Sequence, residues 1–470
     1  MPRSTRLLRT ALATATAATL TGGLLSLATA APAAAAPAKY ADDFNGDGHR
    51  DHAVFSHGTD TRFSKGGGVL VTFGTANGPG AKTQFIDQAS AGVPGADESD
   101  DLFGDVRVAA DFNKDGYGDL AVSANGEDVG KTEDNGTVTV LWGGKNGLSG
   151  GTAVPFRGPK GVSGRATDFA TGDFDGDGHQ DLALVRDSKT YVYRGAITKS
   201  GVKGSVTVLD KDTSSFYATA LVSGKVDKDG KTDLVVIGNV VYPEYIASDA
   251  WFVKGGKAKL YPGKTLRLER QNGNGGQAER GGDGVIADFD KDGYGDIAIG
   301  TQIHDRDTGR VSVWYGATSG PSRSARFTQN TAGVAGGAER GDRFGASVSA
   351  GDVNGDGYRD LAIGAPGETI DGADEAGGVH VLYGAKSGLG AQGSQWFARN
   401  SPGVPGVPGA LATGDYVGHT VRLRDTDRDG GADLYVMGDN SSLRLPGTSK
   451  GVTTTGVQRV NGDVVAGMLQ

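Results

Sequence analysis

The chain has no cysteine in 470 residues. No disulfide can hold it together, and neither a thiol nucleophile nor a thiolate metal site is available. Proline is scarce at 15 residues, which excludes a proline-rich linker. No long apolar run occurs beyond residue 30, so the rest of the chain holds no membrane-spanning helix. There is no basic run, and the net charge is −9, which makes nucleic acid a poor partner. The seven histidines fall in no zinc-binding spacing.

Glycine is what the chain has in excess, with 81 residues against about 7% in an average chain. The glycines follow no three-residue period, so this is not collagen. Apolar residues at 37% are enough for a core. Short strands joined by many tight turns fit this composition.

Residues 1–36 read as a secretory signal peptide. Arg3, Arg6 and Arg9 precede an Ala/Leu/Thr-rich apolar stretch over 10–27, and small residues at Ala28–Ala30 and Ala34–Ala36 offer cleavage after Ala30 or Ala36. The expected product, 37–470, is a secreted extracellular monomer carrying a charge of −12 once the three arginines are lost. Secretion without cysteine calls for another crosslink, and metal ions are the natural candidate.

One nine-residue phrase occurs seven times, starting at 43, 111, 173, 225, 288, 352 and 425, on a period of about 64 residues. It reads D-x-[DN]-x-D-G-x-x-D. Calcium takes six to eight oxygens, so it needs several carboxylates converging from a short loop. Positions 1, 3, 5 and 9 supply side-chain oxygens, position 6 is always glycine, and position 7 offers its carbonyl. The predicted ligands in the first three copies are Asp43, Asn45, Asp47, His49 and Asp51; Asp111, Asn113, Asp115, Tyr117 and Asp119; and Asp173, Asp175, Asp177, His179 and Asp181. In the last three they are Asp288, Asp290, Asp292, Tyr294 and Asp296; Asp352, Asn354, Asp356, Tyr358 and Asp360; and Asp425, Asp427, Asp429, Gly431 and Asp433. The fourth copy has Lys225 at position 1, and its ammonium is expected to fill the vacated charge site. The expectation is about six Ca²⁺ ions and one empty loop. Six ions would cancel the −12 of the mature chain.

An EF-hand would place a glutamate at position 12 and a helix after it. Here position 12 is apolar, as at Val54 or Ile363, and runs such as LAIG read as strands. Further alternating runs follow about twenty residues on, such as GGVHVLYG at 377–384. Four strands per unit and seven units make an all-β, seven-bladed β-propeller with antiparallel blades.

Phe103-Gly104, Phe344-Gly345 and Gly364-Ala365-Pro366 carry a resemblance to the FG-GAP repeat. The chain resembles the propeller at the head of integrin α-subunits and of many secreted bacterial proteins, and the resemblance covers 38–470. It implies calcium hairpins on one face and ligand on the other, on loops 123–135, 239–248, 301–308 and 365–376 and on the inter-blade segments 87–102, 270–282, 330–342 and 400–415. The first blade lacks room for its own first strand, so a C-terminal strand over 462–470 is expected to join it and close the ring.

The expected function is a non-catalytic extracellular binding or adhesion module for a protein or glycan ligand. Tyr242 and Tyr245 are candidates for the ligand face, while Trp251 is expected to pack within its blade. The alternative is a propeller hydrolase or lyase acting on extracellular polysaccharide or phospholipid, for which His304 with Asp305 and Asp307 is the best catalytic set; no residue is assigned to catalysis. FG-GAP repeats also accompany a phospholipase D acting on glycosylphosphatidylinositol anchors.

Overall fold

The computed structural model describes residues 36–57, 66–130, 133–155, 165–211, 215–242, 245–272, 282–404, 413–440 and 442–469. The predicted signal peptide lies outside the described residues, apart from Ala36. The described chain is nearly all β, arranged as seven antiparallel blades in sequence order. Six blades are four-stranded. The sixth is representative, with strands Val348–Gly351, Asp360–Ala365, Gly378–Tyr383 and Gly390–Phe397. Each strand pairs antiparallel with the next. Blades three and seven each add a small hairpin before the fourth strand, Ile197–Val202 and Gly447–Val452.

Second strands such as DLAIGA at Asp360–Ala365 are buried at every residue. They do not alternate, because a blade is covered on both faces by its neighbours. The cores accordingly lie between blades. One joins Phe289, Val311 and Val313 of blade five to Val348, Leu361 and Ile363 of blade six. Another joins Val379 and Val381 of blade six to Val421, Leu434 and Val436 of blade seven. Each such side chain contributes about 1.5–3 kcal/mol on burial.

The Phe-Gly and Gly-Ala-Pro words mark where adjacent blades come closest. A Cβ on Gly364 would lie 1.9 Å from the carbonyl oxygen of Gly418, and one on Gly300 would lie 1.9 Å from that of Gly345. Any side chain there would drive two blades apart. Phe344 itself is fully buried beside them.

Among the described residues the first blade has three strands, His52–Ser56, Gly68–Thr75 and Gly78–Ile86. The C-terminus does join it, but not as the strand expected over 462–470. Residues Gly462–Ala466 form one turn of helix, with Asn461 as N-cap accepting from the Asp463 N–H. Only then does the chain extend, and the Ala53 N–H donates to the Gly467 carbonyl at 3.0 Å. The Arg422 Nε donates to the Met468 carbonyl at 2.9 Å, and Arg424 donates to that of Leu469. The reason is the Asn-Gly-Asp cap, which starts a helix and lets Val464, Val465 and Met468 pack on Tyr435 of blade seven. The ring is closed by a plug of side chains and few ladder bonds.

Candidate metal centres and the opposite loop face

Each repeated phrase forms the turn between the first and second strands of its blade or, in blade one, leads into the first. Position 2 is an apolar anchor in six copies: Phe44, Phe112, Phe174, Val226, Phe289 and Val353 are fully buried. The position-9 aspartate is buried beneath the loop and ties it to the blade. In blade six one oxygen of Asp360 accepts the Val353 N–H at 2.9 Å, and the other accepts the Gly384 N–H at 2.9 Å. The same double clamp recurs at Asp51, Asp119, Asp181, Asp233 and Asp296. Burial pushes the carboxyls of Asp51, Asp119, Asp181, Asp296 and Asp360 up to about 7, against the pull of those hydrogen bonds and with further upward pressure from neighbouring loop carboxylates.

Above the clamp the phrase folds as nested turns. The position-1 carboxylate accepts two N–H groups, as when Asp352 accepts from Asp356 at 3.2 Å and Gly357 at 2.8 Å. The position-5 carboxylate accepts from position 7: His49, Tyr117, His179, Tyr294, Tyr358 and Gly431 each donate their backbone N–H to it. Position 4 is left-handed in all seven copies, whether it is Gly46, Gly176 or Gly355, or Lys114, Lys228, Lys291 or Arg428. These long cations reach the following loop; Lys228 Nζ, for example, donates to the Asp292 carbonyl at 2.7 Å. Successive loops are also joined through backbone. The Gly118, Thr232, Gly295 and Ala432 N–H groups donate to the position-1 carbonyls of the preceding loops, at Asp43, Asp173, Lys225 and Asp352.

A carboxylate has about four acceptor sites, so these bonds leave oxygens free to converge on a cation. Oxygens of Asp173, Asp175 and Asp181, of Asp288, Asp290 and Asp296, and of Asp425, Asp427 and Asp429 lie within 4.8 Å of one another. In the fifth loop Asp290 Oδ1 is buried with no hydrogen-bond partner. Hard oxygens, several of them anionic, at one point fit a divalent cation such as calcium.

In two loops a cation from the third strand of the same blade pairs with more than one of the carboxylates. In the fourth, Lys254 Nζ pairs with Asp227 Oδ2 and lies 3.3 Å from Asp229 Oδ2, while Lys231 Nζ lies 3.0 Å from the same Asp229 oxygen. The expectation for Lys225 is thus corrected: the ammonium among these carboxylates comes from the end of strand Tyr245–Lys254. In the seventh, Arg444 Nη2 lies 2.5 Å from Asp427 Oδ2 and 2.7 Å from Asp433 Oδ2. Neither residue belongs to the repeated phrase. A cation immediately before the glycine that ends the third strand, where most blades have Phe73, Trp142, Tyr315 or Tyr383, was the available signal for Lys254, although blade three has Arg194 there.

Antiparallel hairpins put the loops after second and fourth strands on the face opposite the phrases. Parts of the predicted ligand loops, residues 131–132, 243–244, 273–281 and 405–412, lie outside the described residues. Tyr242 and Tyr245 form the last backbone pair of the long blade-four hairpin. Trp251 is buried and meets Phe216 edge-on at 6.4 Å, as expected for packing. His304 Nδ1 lies 2.5 Å from Glu269 Oε2, and Arg310 Nη2 lies 3.4 Å from that oxygen, so this histidine is engaged across blades four and five.

The opposite face also holds a cavity of about 200 Å³ on blade six, lined by Gln329, Glu368, Asp371, His380 and Trp396 among others. His380 is 1% exposed, and both its ring nitrogens lack a hydrogen-bond partner. It stands between Phe344 and Trp396, with ring centroids 5.2 and 4.4 Å away. Burial pulls its pKa down to about 3 and pushes Glu368 up to about 7. The sequence reading missed this group, since a histidine within an alternating strand carries no distinguishing spacing.

The FG-GAP repeat family model matches residues 103–141 and 344–382, and the FG-GAP-like repeat model matches 173–236. The chain is an integrin-like FG-GAP propeller. It is 28% identical over 192 residues to integrin alpha-2 of Mus musculus, a match covering 38% of this chain and 16% of that protein. It is 36% identical over 110 residues to phosphatidylinositol-glycan-specific phospholipase D of Bos taurus, covering 22% and 13%. These matches span less than a fifth of either relative's length. Among solved structures, a protein from Lactobacillus plantarum aligns with 88% of this chain and 97% of its own, at 11% identity and a TM-score of 0.44. No helix among the described residues is long and apolar enough to cross a membrane.

Proposed function

We propose that this FG-GAP propeller is a secreted, calcium-binding, non-catalytic module that binds an extracellular protein or glycan on the face opposite its metal loops. The carrying observation is the division of labour between the two faces. One bears seven near-identical acidic turns clamped to the blades; the other bears dissimilar loops around the cavity that His380, Trp396, Gln329 and Glu368 line. Repeated chemistry suits a structural task, and variable loops on a rigid frame suit recognition. In this reading the carboxylates at positions 1, 3, 5 and 9, the asparagines at position 3, and the position-7 carbonyls hold calcium. A bound ion would neutralise the converging charge and crosslink the turn that holds it. The basic, apolar N-terminus supports export, and the integrin relatives support a protein ligand.

Binding is tested by presenting the purified chain to a glycan array and to extracellular protein extracts, with parallel assays for turnover of polysaccharides and phospholipids. Saturable binding that is weakened by substitution around the cavity, with no turnover, is expected. Turnover of a polysaccharide or phospholipid would replace the binding reading with the hydrolase or lyase alternative.

A further inference from the structure

The seven loops share a phrase but not an electrostatic environment. Cations approach several of them, to different depths. Lys199 reaches Asp115 of the second loop and Arg323 reaches Asp290 of the fifth, with side chains 58% and 51% exposed. Such arms can swing into water at little cost. Arg444 is different. Its side chain is 8% exposed, and its Nε and Nη2 reach Asp433 at 2.8 and 2.7 Å, with Nη2 also on Asp427. It bridges positions 3 and 9 of a phrase that otherwise has a full aspartate set. In the fourth loop the Asp227 side chain is wholly buried and finds its counter-charge in Lys254.

We infer that Lys254 and Arg444 are built-in replacements for calcium, so that blades four and seven are held by the protein's own cations and the ring takes five ions. This rests on the calcium reading above. A guanidinium or ammonium at the centre of the loop satisfies the carboxylates and repels a divalent ion from the same oxygens. The two loops reach this state by different routes. The fourth has also lost its first carboxylate to Lys225, whereas the seventh keeps every ligand and is blocked by one side chain. Asp425 Oδ1 is buried there without a partner. Removing the guanidinium therefore leaves a complete set of oxygens, already within 4.8 Å at Asp425, Asp427 and Asp429.

The test is the calcium content of the full chain after equilibrium dialysis, read by elemental mass spectrometry. The wild type is expected to hold five ions, R444L six, and K254M five; K225D/K254M is expected to hold six. The wild-type count needs no variant to fold. Six ions on the wild type would overturn the assignment of Arg444, and an unchanged count in folded R444L would do the same. Zero ions on the wild type would remove the calcium reading itself, an outcome distinct from six.

Discussion

The Lys254 ammonium pairs with the buried Asp227 carboxylate at the point where the other blades of the ring gather aspartates. One side chain of the third strand thereby pairs with the turn of its own blade. Replacing Lys254 with Met leaves that carboxylate buried and unpaired. Since the Lys254 side chain is 36% exposed, the expected loss is about 2 kcal/mol rather than the larger cost of a fully enclosed pair. Urea unfolding should show this loss equally with calcium and with chelator. A loss that appears only with chelator and is relieved by calcium would mean that the fourth loop binds metal.

The position-9 aspartate has a scaffold task beside its proposed ligand role. D360N cannot accept both the Val353 and Gly384 N–H groups, so it should cost about 1–3 kcal/mol even with chelator present. D352N, at position 1 of the same loop, also gives up one of two N–H bonds, but in an exposed turn, so most of its loss should appear only when calcium is supplied. Urea unfolding of both variants, with and without calcium, checks the distinction.

Ring closure depends on the C-terminal plug. Deleting residues 462–470 removes Val464, Val465 and Met468 from Tyr435 and frees the Ala53 N–H. The cooperative thermal transition should disappear. M468A should cost about 2–5 kcal/mol. A truncated chain that melts like the parent would contradict closure by this segment.

His380 predicts an acid sensitivity with a defined sign. Its folded pKa, about 3, lies below the value of about 6.5 for an open histidine. The unfolded chain therefore binds the extra proton, and the stability is whole above about pH 6.5 and lost as pH falls toward 3. H380F should flatten unfolding free energy against pH in that window by up to about 1.4 kcal/mol per pH unit. An unchanged slope would mean that the imidazole is protonated in the folded chain.

The propeller was legible because its punctuation is written into each copy: the glycine at position 6, the aspartates at alternate positions, and the apolar run after position 9. The position-2 anchor was visible too, although its role emerges only when Phe112 or Phe289 is seen buried. What stayed hidden depends on residues distant in sequence meeting in space. Arg444 lies eleven residues from Asp433, within a strand whose pattern says only that it alternates. The C-terminal segment was read as a strand because GDVVAGMLQ matches the apolar content of one. The Asn461 cap that turns it into a helix is a local signal, and it outweighed that content. The cavity beside His380 is assembled from strand residues and two loops, and no spacing foretells it.

Calcium is proposed to staple a cysteine-free ring. Scanning calorimetry of the full chain in excess calcium and after exhaustive chelation measures that directly. Each ion held at a hundred times its dissociation constant adds about 2.7 kcal/mol, so several together should raise the Tm by well over about 5 °C. A Tm that is the same in calcium and in chelator would contradict it.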